Sequence, residues 1–213
     1  METVKPTRNV LVAVDVQHDF IDGSLAVAES EQVVAPLNTI AETVRHHDGQ
    51  VVFTRDWHPA KTPHFSNFGG QWPVHCVAGT TGAAFHDKLD VRPDDIVINK
   101  GMGQTDGYSG WEGQSDTGET LETIITPRTP HEKVKVFLGG LATDFCVKAT
   151  ALDIANHFRD DARVSIHLLR EAIRAVGLTP TDEEEALAAM KEAHVLAVST
   201  SEAKMMMIER SVQ

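Results

Sequence analysis

The sequence predicts an α/β fold, a three-layer α/β/α sandwich around a mainly parallel sheet of about six strands. Three observations predict it. Short, nearly continuous apolar runs recur, as at residues 10–16 and 134–138, and strands buried on both faces of a parallel sheet have that composition. Segments with apolar residues at helical spacing lie between these runs. Strands alternating with helices imply right-handed crossovers and helices on both sheet faces. The chain has 213 residues, the size of one α/β domain with a sizeable core. No repeat, low-complexity stretch or linker divides it, so residues 1–213 are expected to form a single domain.

Residues 10–16 (V-L-V-A-V-D-V) form the first expected strand, interrupted by one carboxylate, Asp15, near its end. Residues 17–23 leave the strand. Residues 33–47 are helical by pattern: Val33, Leu37, Ile40, Ala41 and Val44 share a stripe, and Gly49 is the stop. Residues 50–54 are the second strand. An irregular segment, 55–82, follows, rich in His, Pro, Gly and Trp; its length within a compact domain points to function. Residues 95–99 are the third strand, ending at Lys100. The Gly-rich loop 101–118 comes next, and its glycine spacing does not match a dinucleotide-binding turn. Residues 134–138 are the fourth strand. Gly139 and Gly140 break it, and a helix is expected from about Cys146, with Phe145, Ala149, Leu152 and Ala155 on one face. Residues 163–169 and 194–199 are the fifth and sixth strands. The helix between them, 181–193, has Thr181 and Glu184 at capping-box spacing.

Acidic residues outnumber basic ones, 31 against 19, giving a net charge of −12 and a pI near 5.3. This balance argues against nucleic-acid or anionic-membrane partners, which need a basic patch. The two cysteines, Cys76 and Cys146, form no disulfide framework and suit a reducing cytosol. The N-terminal stretch M-E-T-V-K-P-T-R-N has no apolar signal core, and no stretch is long enough to span a membrane. A cytoplasmic protein is the expectation. Met205, Met206 and Met207 can pack on the core or on another subunit, which leaves a homo-oligomer open.

Asp15, Asp56, Lys100 and the turn before Cys146 each lie at the C-terminal end of an expected strand. In a parallel sheet these ends share one edge, where ligands bind. Cys146 sits on a strand-to-helix turn near a helix N-terminus, which favours the thiolate and offers amides to an oxyanion; the competing reading is an inert buried thiol. Burial raises the pKa of Asp15 and makes it a proton acceptor near neutrality; otherwise it caps a turn. A Lys100 ammonium about 4 Å from a thiolate stabilises it by roughly 4 kcal/mol at an effective dielectric of 20; otherwise it is a surface lysine.

A second group is Asp56-Trp57-His58. Residues two apart in an extended strand end point the same way, so Asp56 and His58 can share one metal ion. His75 completes a set of two imidazoles and one carboxylate that Zn, Fe and Mn all tolerate. The competing reading is a set of loop histidines in a chain with 11 of them. His64 is read as a neighbour of the set and Cys76 as a small buried thiol. Phe20, Trp72, Tyr108 and Trp111 fall in loops at the same edge, where aromatics can wall a flat ring; the competing reading of each, taken singly, is local packing.

Several blocks together carry a family resemblance: D-V-Q-H-D-F (15–20), T-R-D-W-H-P (54–59), W-P-V-H-C (72–76), N-K-G (99–101), D-G-Y-S-G-W (106–111) and G-L-A-T-D-F-C-V (140–147). Over nearly its whole length the chain resembles the nicotinamidase group of the isochorismatase-like cysteine hydrolases. The resemblance implies an isochorismatase-like fold and hydrolysis of nicotinamide to nicotinate and ammonia through a thioester, a step of NAD salvage. It implies catalytic positions at Asp15, Lys100 and Cys146, and a cis peptide before Ala142. The oxyanion hole falls to the amides of Ala142 and Cys146. Asp56, His58 and His75 match the ligands of one divalent ion, zinc first, with iron or manganese as alternatives. Phe20 and Trp72 match aromatics flanking the pyridine ring, and Tyr108 and Ala142 fall at pocket positions. Nicotinamide is the expected substrate and pyrazinamide a further candidate. In one departure His18 replaces an asparagine of the group, where it can alter the hydrogen bonding behind Asp15 or approach the metal. Other readings are hydrolysis of another small amide, such as a carbamoyl or ureido compound, and a non-heme metal oxygenase. The oxygenase reading leaves Cys146 and Lys100 unexplained. A binding module without catalysis does not explain the intact trio.

Overall fold

The computed structural model describes residues 7–208. Residues 1–6, most of the N-terminal stretch read above, and residues 209–213 lie outside it. The strands are β1 (Thr7–Val14), β2 (Gln50–Asp56), β3 (Ile96–Lys100), β4 (Lys133–Leu141), β5 (Val164–Arg174) and β6 (Leu196–Val198). They form a sheet in the order β3-β2-β1-β4-β5-β6, with every neighbouring pair parallel. The helices are α1 (His18–Ile21), α2 (Val34–His46), α3 (Leu121–Ile125), α4 (Lys148–His157), α5 (Asp182–Glu192) and α6 (Thr200–Ile208).

Successive side chains of a strand point to opposite faces, so β1 supplies two cores. Leu11 and Ala13 pack with Leu37, Ile40 and Val44 of α2 and with Ala203 and Met207 of α6. Val10, Val12 and Val14 pack with Ile124 and Ile125 of α3, Ala151 and Ile154 of α4, and Met190 of α5. Each of the Val, Leu, Ile and Met side chains among them contributes about 1.5–3 kcal/mol relative to exposure. These two cores are why β1 reads as an unbroken apolar run. Met207 joins the core while Met205 is exposed. Among the described residues no helix is long and apolar enough to cross a membrane.

The structure departs from the sequence pattern at four places. β4 continues through its glycines to Leu141. Gly140 has φ +124°, and a Cβ there would lie 2.0 Å from the Val14 carbonyl oxygen. Glycine thus lets β4 close on the end of β1. A π-helical turn, Thr143–Val147, then precedes α4. Its wider turn advances the helix phase, so the buried face is Val147, Thr150, Ala151 and Ile154, joined by Ala155 alone of the expected stripe. Phe145, Ala149 and Leu152 are only half-buried. The expected capping box at α5 does not form either. Thr181 has helical dihedrals and makes no side-chain cap; instead the Asp182 carboxylate accepts from the Thr179 amide at 2.7 Å and hydroxyl at 2.5 Å. α3 left no mark in the pattern, being five residues long behind a Thr120–Thr123 capping box.

His167 on β5 is buried against the Phe137 ring, with centroids 5.2 Å apart. Its Nε2 meets Ser165 Oγ at 3.0 Å, and its Nδ1 is buried without a hydrogen-bond partner among the described residues. Burial, helped by the Lys135 charge, pushes its pKa from 6.5 down to about 4. The folded protein therefore holds it neutral while the unfolded chain takes a proton below pH 6.5. Stability must fall as pH drops from about 6.5 towards 4, by about 1–3 kcal/mol from this residue. His167→Gln, which cannot titrate, is expected to flatten the acid limb of a stability-against-pH curve by that amount. An unchanged limb would remove His167 from its causes.

Candidate active site

The strand order reverses between β1 and β4, and the crevice beyond the carboxyl ends of strands at such a point is where open α/β sheets bind ligands. Asp15 follows β1, Asp56 ends β2, Lys100 ends β3 and the π turn carrying Cys146 follows β4. All four expected groups meet there. Lys100 is fully buried, with Nζ 2.9 Å from Asp15 Oδ2, 2.5 Å from Asp56 Oδ1, 3.2 Å from the Gly107 carbonyl oxygen and 3.4 Å from Cys146 Sγ. Asp15, at φ 51°, accepts from Thr54 Oγ1 at 2.6 Å, and its amide donates to the Thr54 carbonyl. Aspartate is among the few residues that tolerate this left-handed conformation.

One ammonium thus faces two carboxylates and a thiol out of water. Burial lowers the lysine pKa, but the charges of Asp15 and Asp56 outweigh it and hold Lys100 protonated, well above its ordinary value. Burial lifts Asp15 to about 6; Lys100 opposes this and Asp56 reinforces it. Burial also acts upward on Asp56, yet Lys100 and His58 keep it below the usual carboxylate range. The Cys146 thiol moves up. Burial is the main cause, Lys100 opposes it, and Asp15 and Asp56 add to it. This corrects the expectation of a thiol already acidified by a helix N-terminus. The thiol rests protonated beside its acceptor.

His58, His64 and His75 surround the other side of Asp56. His58 Nε2 lies 3.6 Å and His75 Nε2 3.9 Å from Asp56 Oδ2, and one ligand atom of each histidine falls within 4.8 Å of the others. Each Nδ1 is taken: His58 by the Gly101 carbonyl at 2.9 Å, His75 by the Pro73 carbonyl at 2.8 Å, His64 by Asp106 Oδ1 at 2.7 Å. His58 Nε2 is buried with no hydrogen-bond partner among the described residues. Burial pushes His75 down to about 4 and lowers His64 as well. Imidazoles anchored through Nδ1 on an acceptor, beside a carboxylate held below its usual range, are what a divalent metal needs. The residues fit such an ion, and His64, read from sequence as a neighbour, belongs to the group. A second acidic cluster, Asp15, Asp56 and Cys146, already holds the Lys100 ammonium.

Gly101 makes room for this arrangement. It has φ +65°, and a Cβ there would lie 2.5 Å from the His58 ring. A small pocket opens onto both groups, lined by Phe20, Leu25, Asp56, His64, Trp72, His75, Tyr108, Ala142, Phe145, Cys146 and Val176. Trp72 Nε1 donates to the Tyr108 hydroxyl at 2.9 Å, the Phe145 ring stands edge-on to Trp72 at 4.9 Å, and Phe20 lies 5.5 Å from the His75 ring. Wider surface grooves, such as the one lined by Arg170, Leu187 and Leu196, gather no acid, base and thiol. Trp111 packs locally, on His157 and Phe158, as a lone loop aromatic is expected to. His18 points away from both groups, its Nδ1 on Asp22 at 3.1 Å and its ring beside His86.

The family model described as Isochorismatase domain matches residues 9–203. The chain belongs to the isochorismatase family. Among characterised relatives, it is 40% identical over 148 residues to the nicotinamidase/pyrazinamidase of Mycobacterium tuberculosis, an alignment covering 67% of this chain and 76% of the relative. Among solved structures it is similar to the pyrazinamidase of Pyrococcus horikoshii in complex with zinc, with 36% identity, a TM-score of 0.77, and coverage of 90% of this chain and 99% of that one. It is also similar to PnC1 from L. infantum in complex with nicotinate, at 32% identity and a TM-score of 0.76, covering 93% and 96%.

In this isochorismatase-family chain the Leu141–Ala142 peptide is cis, and the Ala142 carbonyl accepts from the amides of Phe145 and Val147. Other residues that build the site were not singled out from sequence. Gln17 is fully buried; its side-chain nitrogen donates to the Asp56 and Ala83 carbonyls and its oxygen accepts from the Asp56 amide at 2.8 Å. Asp144 accepts from the amides of Val176 and Gly177, both at 2.9 Å, and so ties a pocket wall to the thiol's own turn. A buried amide directly after a buried strand was a readable sign of Gln17; Asp144 had none.

Proposed function

We propose that this enzyme hydrolyses nicotinamide to nicotinate and ammonia by covalent catalysis at Cys146. The observation that carries the proposal is that thiol and imidazole cluster face one aromatic-walled pocket and are linked through Lys100, which touches the thiol, and Asp56, which touches both Lys100 and the imidazoles. Phe20, Trp72 and Tyr108 receive the flat ring, as Ala142 lines its edge. Asp15 takes the proton of Cys146 as the sulfur attacks the carboxamide carbon. The Lys100 ammonium, 3.4 Å away, stabilises the developing thiolate by about 5 kcal/mol at an effective dielectric of 20. The amides of Ala142 and Cys146 hold the oxyanion. Asp15 then gives its proton to the leaving nitrogen, and ammonia departs. Water attacks the thioester, Asp15 accepts its proton, and the released sulfur takes a proton back. Asp56, His58, His75 and His64 would hold one divalent ion, for which zinc suits the donor set. When bound, that ion would supply a Lewis acid for the pyridine nitrogen.

The test is ammonia release from nicotinamide by purified protein, with and without a chelator, beside carbamoyl and ureido compounds. Release that needs the ion and exceeds the rates on those other amides supports the proposal. Release from a ureido compound alone moves the substrate elsewhere. The pH profile follows from Asp15. Below about pH 6 its carboxyl is protonated and cannot accept the thiol proton. We expect kcat/KM to rise through about pH 6 and then level. A flat profile from pH 5 to 7 would remove Asp15 as the base.

A further inference from the structure

The three imidazoles of the cluster are not oriented alike. His58 and His75 each give Nδ1 to a backbone carbonyl, of Gly101 and Pro73. His64 gives Nδ1 to a carboxylate, Asp106 Oδ1, at 2.7 Å. The two partners differ in burial: the His64 side chain is 2% exposed and that of Asp106 59%. The loop 101–108 that carries Asp106 is fastened to the site on either side of it. The Gly101 carbonyl meets His58, the Gly107 carbonyl meets Lys100 Nζ at 3.2 Å, and Tyr108 takes the Trp72 indole hydrogen. The loop therefore lays a carboxylate from the solvent side across the outer nitrogen of a buried ring.

A neutral imidazole has one donor nitrogen and one acceptor, and an ionised carboxylate only accepts. Asp106 thus obliges His64 to carry its hydrogen on Nδ1 and to present the Nε2 lone pair inward. The charged acceptor also makes that lone pair a stronger donor than a carbonyl would. Without it the ring is free to take the other tautomer or to turn over.

We propose that Asp106 is a positioning residue for the metal, and that through His64 an exposed side chain sets how tightly the ion is held. This rests on the metal reading given above. The probes are zinc, by competition with a chromophoric chelator, and cobalt, whose visible bands report the ligand set. Asp106→Ala should weaken zinc binding roughly 10–100-fold and alter the cobalt bands. Asp106→Asn, which keeps an acceptor oxygen without the charge, should fall between it and the native protein. In a His64→Ala background, Asp106→Ala should add nothing, because its effect runs through that ring; a loop that merely supported the fold would still add its own loss. Unchanged zinc affinity in Asp106→Ala, or a loss undiminished when His64 is absent, overturns the proposal. Native protein that takes up neither ion overturns the metal reading itself, and this proposal with it.

Discussion

Cys146→Ala is expected to abolish ammonia release from nicotinamide, by at least ~10⁴-fold in kcat, because residues of a nucleophilic unit act together and not additively. The sulfur is the only nucleophile of its kind on the pocket wall; Cys76, the other thiol, is fully buried, with its pKa pushed far up by burial. Binding should survive. Phe20, Trp72 and Tyr108 are untouched, and Lys100 keeps its contacts with Asp15 and Asp56 at 2.9 and 2.5 Å. Calorimetric titration with nicotinate should give a Kd near the native value while turnover is lost. Cys146→Ser should be inactive as well. A serine hydroxyl is a far weaker acid than a thiol, and a carboxylate with a pKa of about 6 is too weak a base to deprotonate it at useful rates. Turnover by either variant near the native rate would sink the assignment of the nucleophile.

Much of this site could be read from the chain because its parts sit where regular structure ends. The run around Val12 is apolar on both faces, so a parallel sheet was legible, and with it the edge at which Asp15, Asp56 and Lys100 must meet. Alternation across Asp56 and His58 was legible for the same reason. Contacts between irregular segments were not. His64 and Asp106 are 42 residues apart, both in loops, where no period links a residue to its partner. The π turn hid Phe145, since a change of phase within a single turn leaves no mark in a pattern of four apolar residues. The state of the thiol was hidden too. Sequence places Cys146 beside a helix start, but whether the groups around it favour thiolate or thiol depends on two carboxylates brought in from other strands. His18 shows the converse limit: adjacent to Asp15's turn in sequence, it faces Asp22 and Asp87 at the surface.

Lys100→Met is expected to cost about 3–5 kcal/mol of stability near neutral pH, as removing one partner of a buried ion pair does. Methionine matches the length of the stem but leaves two buried carboxylates facing each other with no cation between them. The protein can relieve this by keeping a proton on Asp15, the carboxyl already lifted to about 6 by burial and by Asp56. Lys100 opposes that lift, so losing it must raise the Asp15 pKa further. A carboxyl whose folded pKa lies above its unfolded value of 3.8 is favoured by the fold in its protonated form. The stability it contributes is present at low pH and lost as pH rises through the folded pKa. The variant's loss should therefore be small near pH 5 and grow towards pH 8, against a shallower slope for the native protein. Thermal unfolding across that range, with chelator present so that no ion stands in for the lysine, reads this directly. Activity should be lost at every pH, since a protonated Asp15 cannot take the thiol proton and an ionised one faces Asp56 without its counter-charge. Parallel stability curves for the two proteins would mean that the carboxylates do not depend on Lys100 for their charge. The coupling between base, ammonium and metal-binding carboxylate would then have to be abandoned.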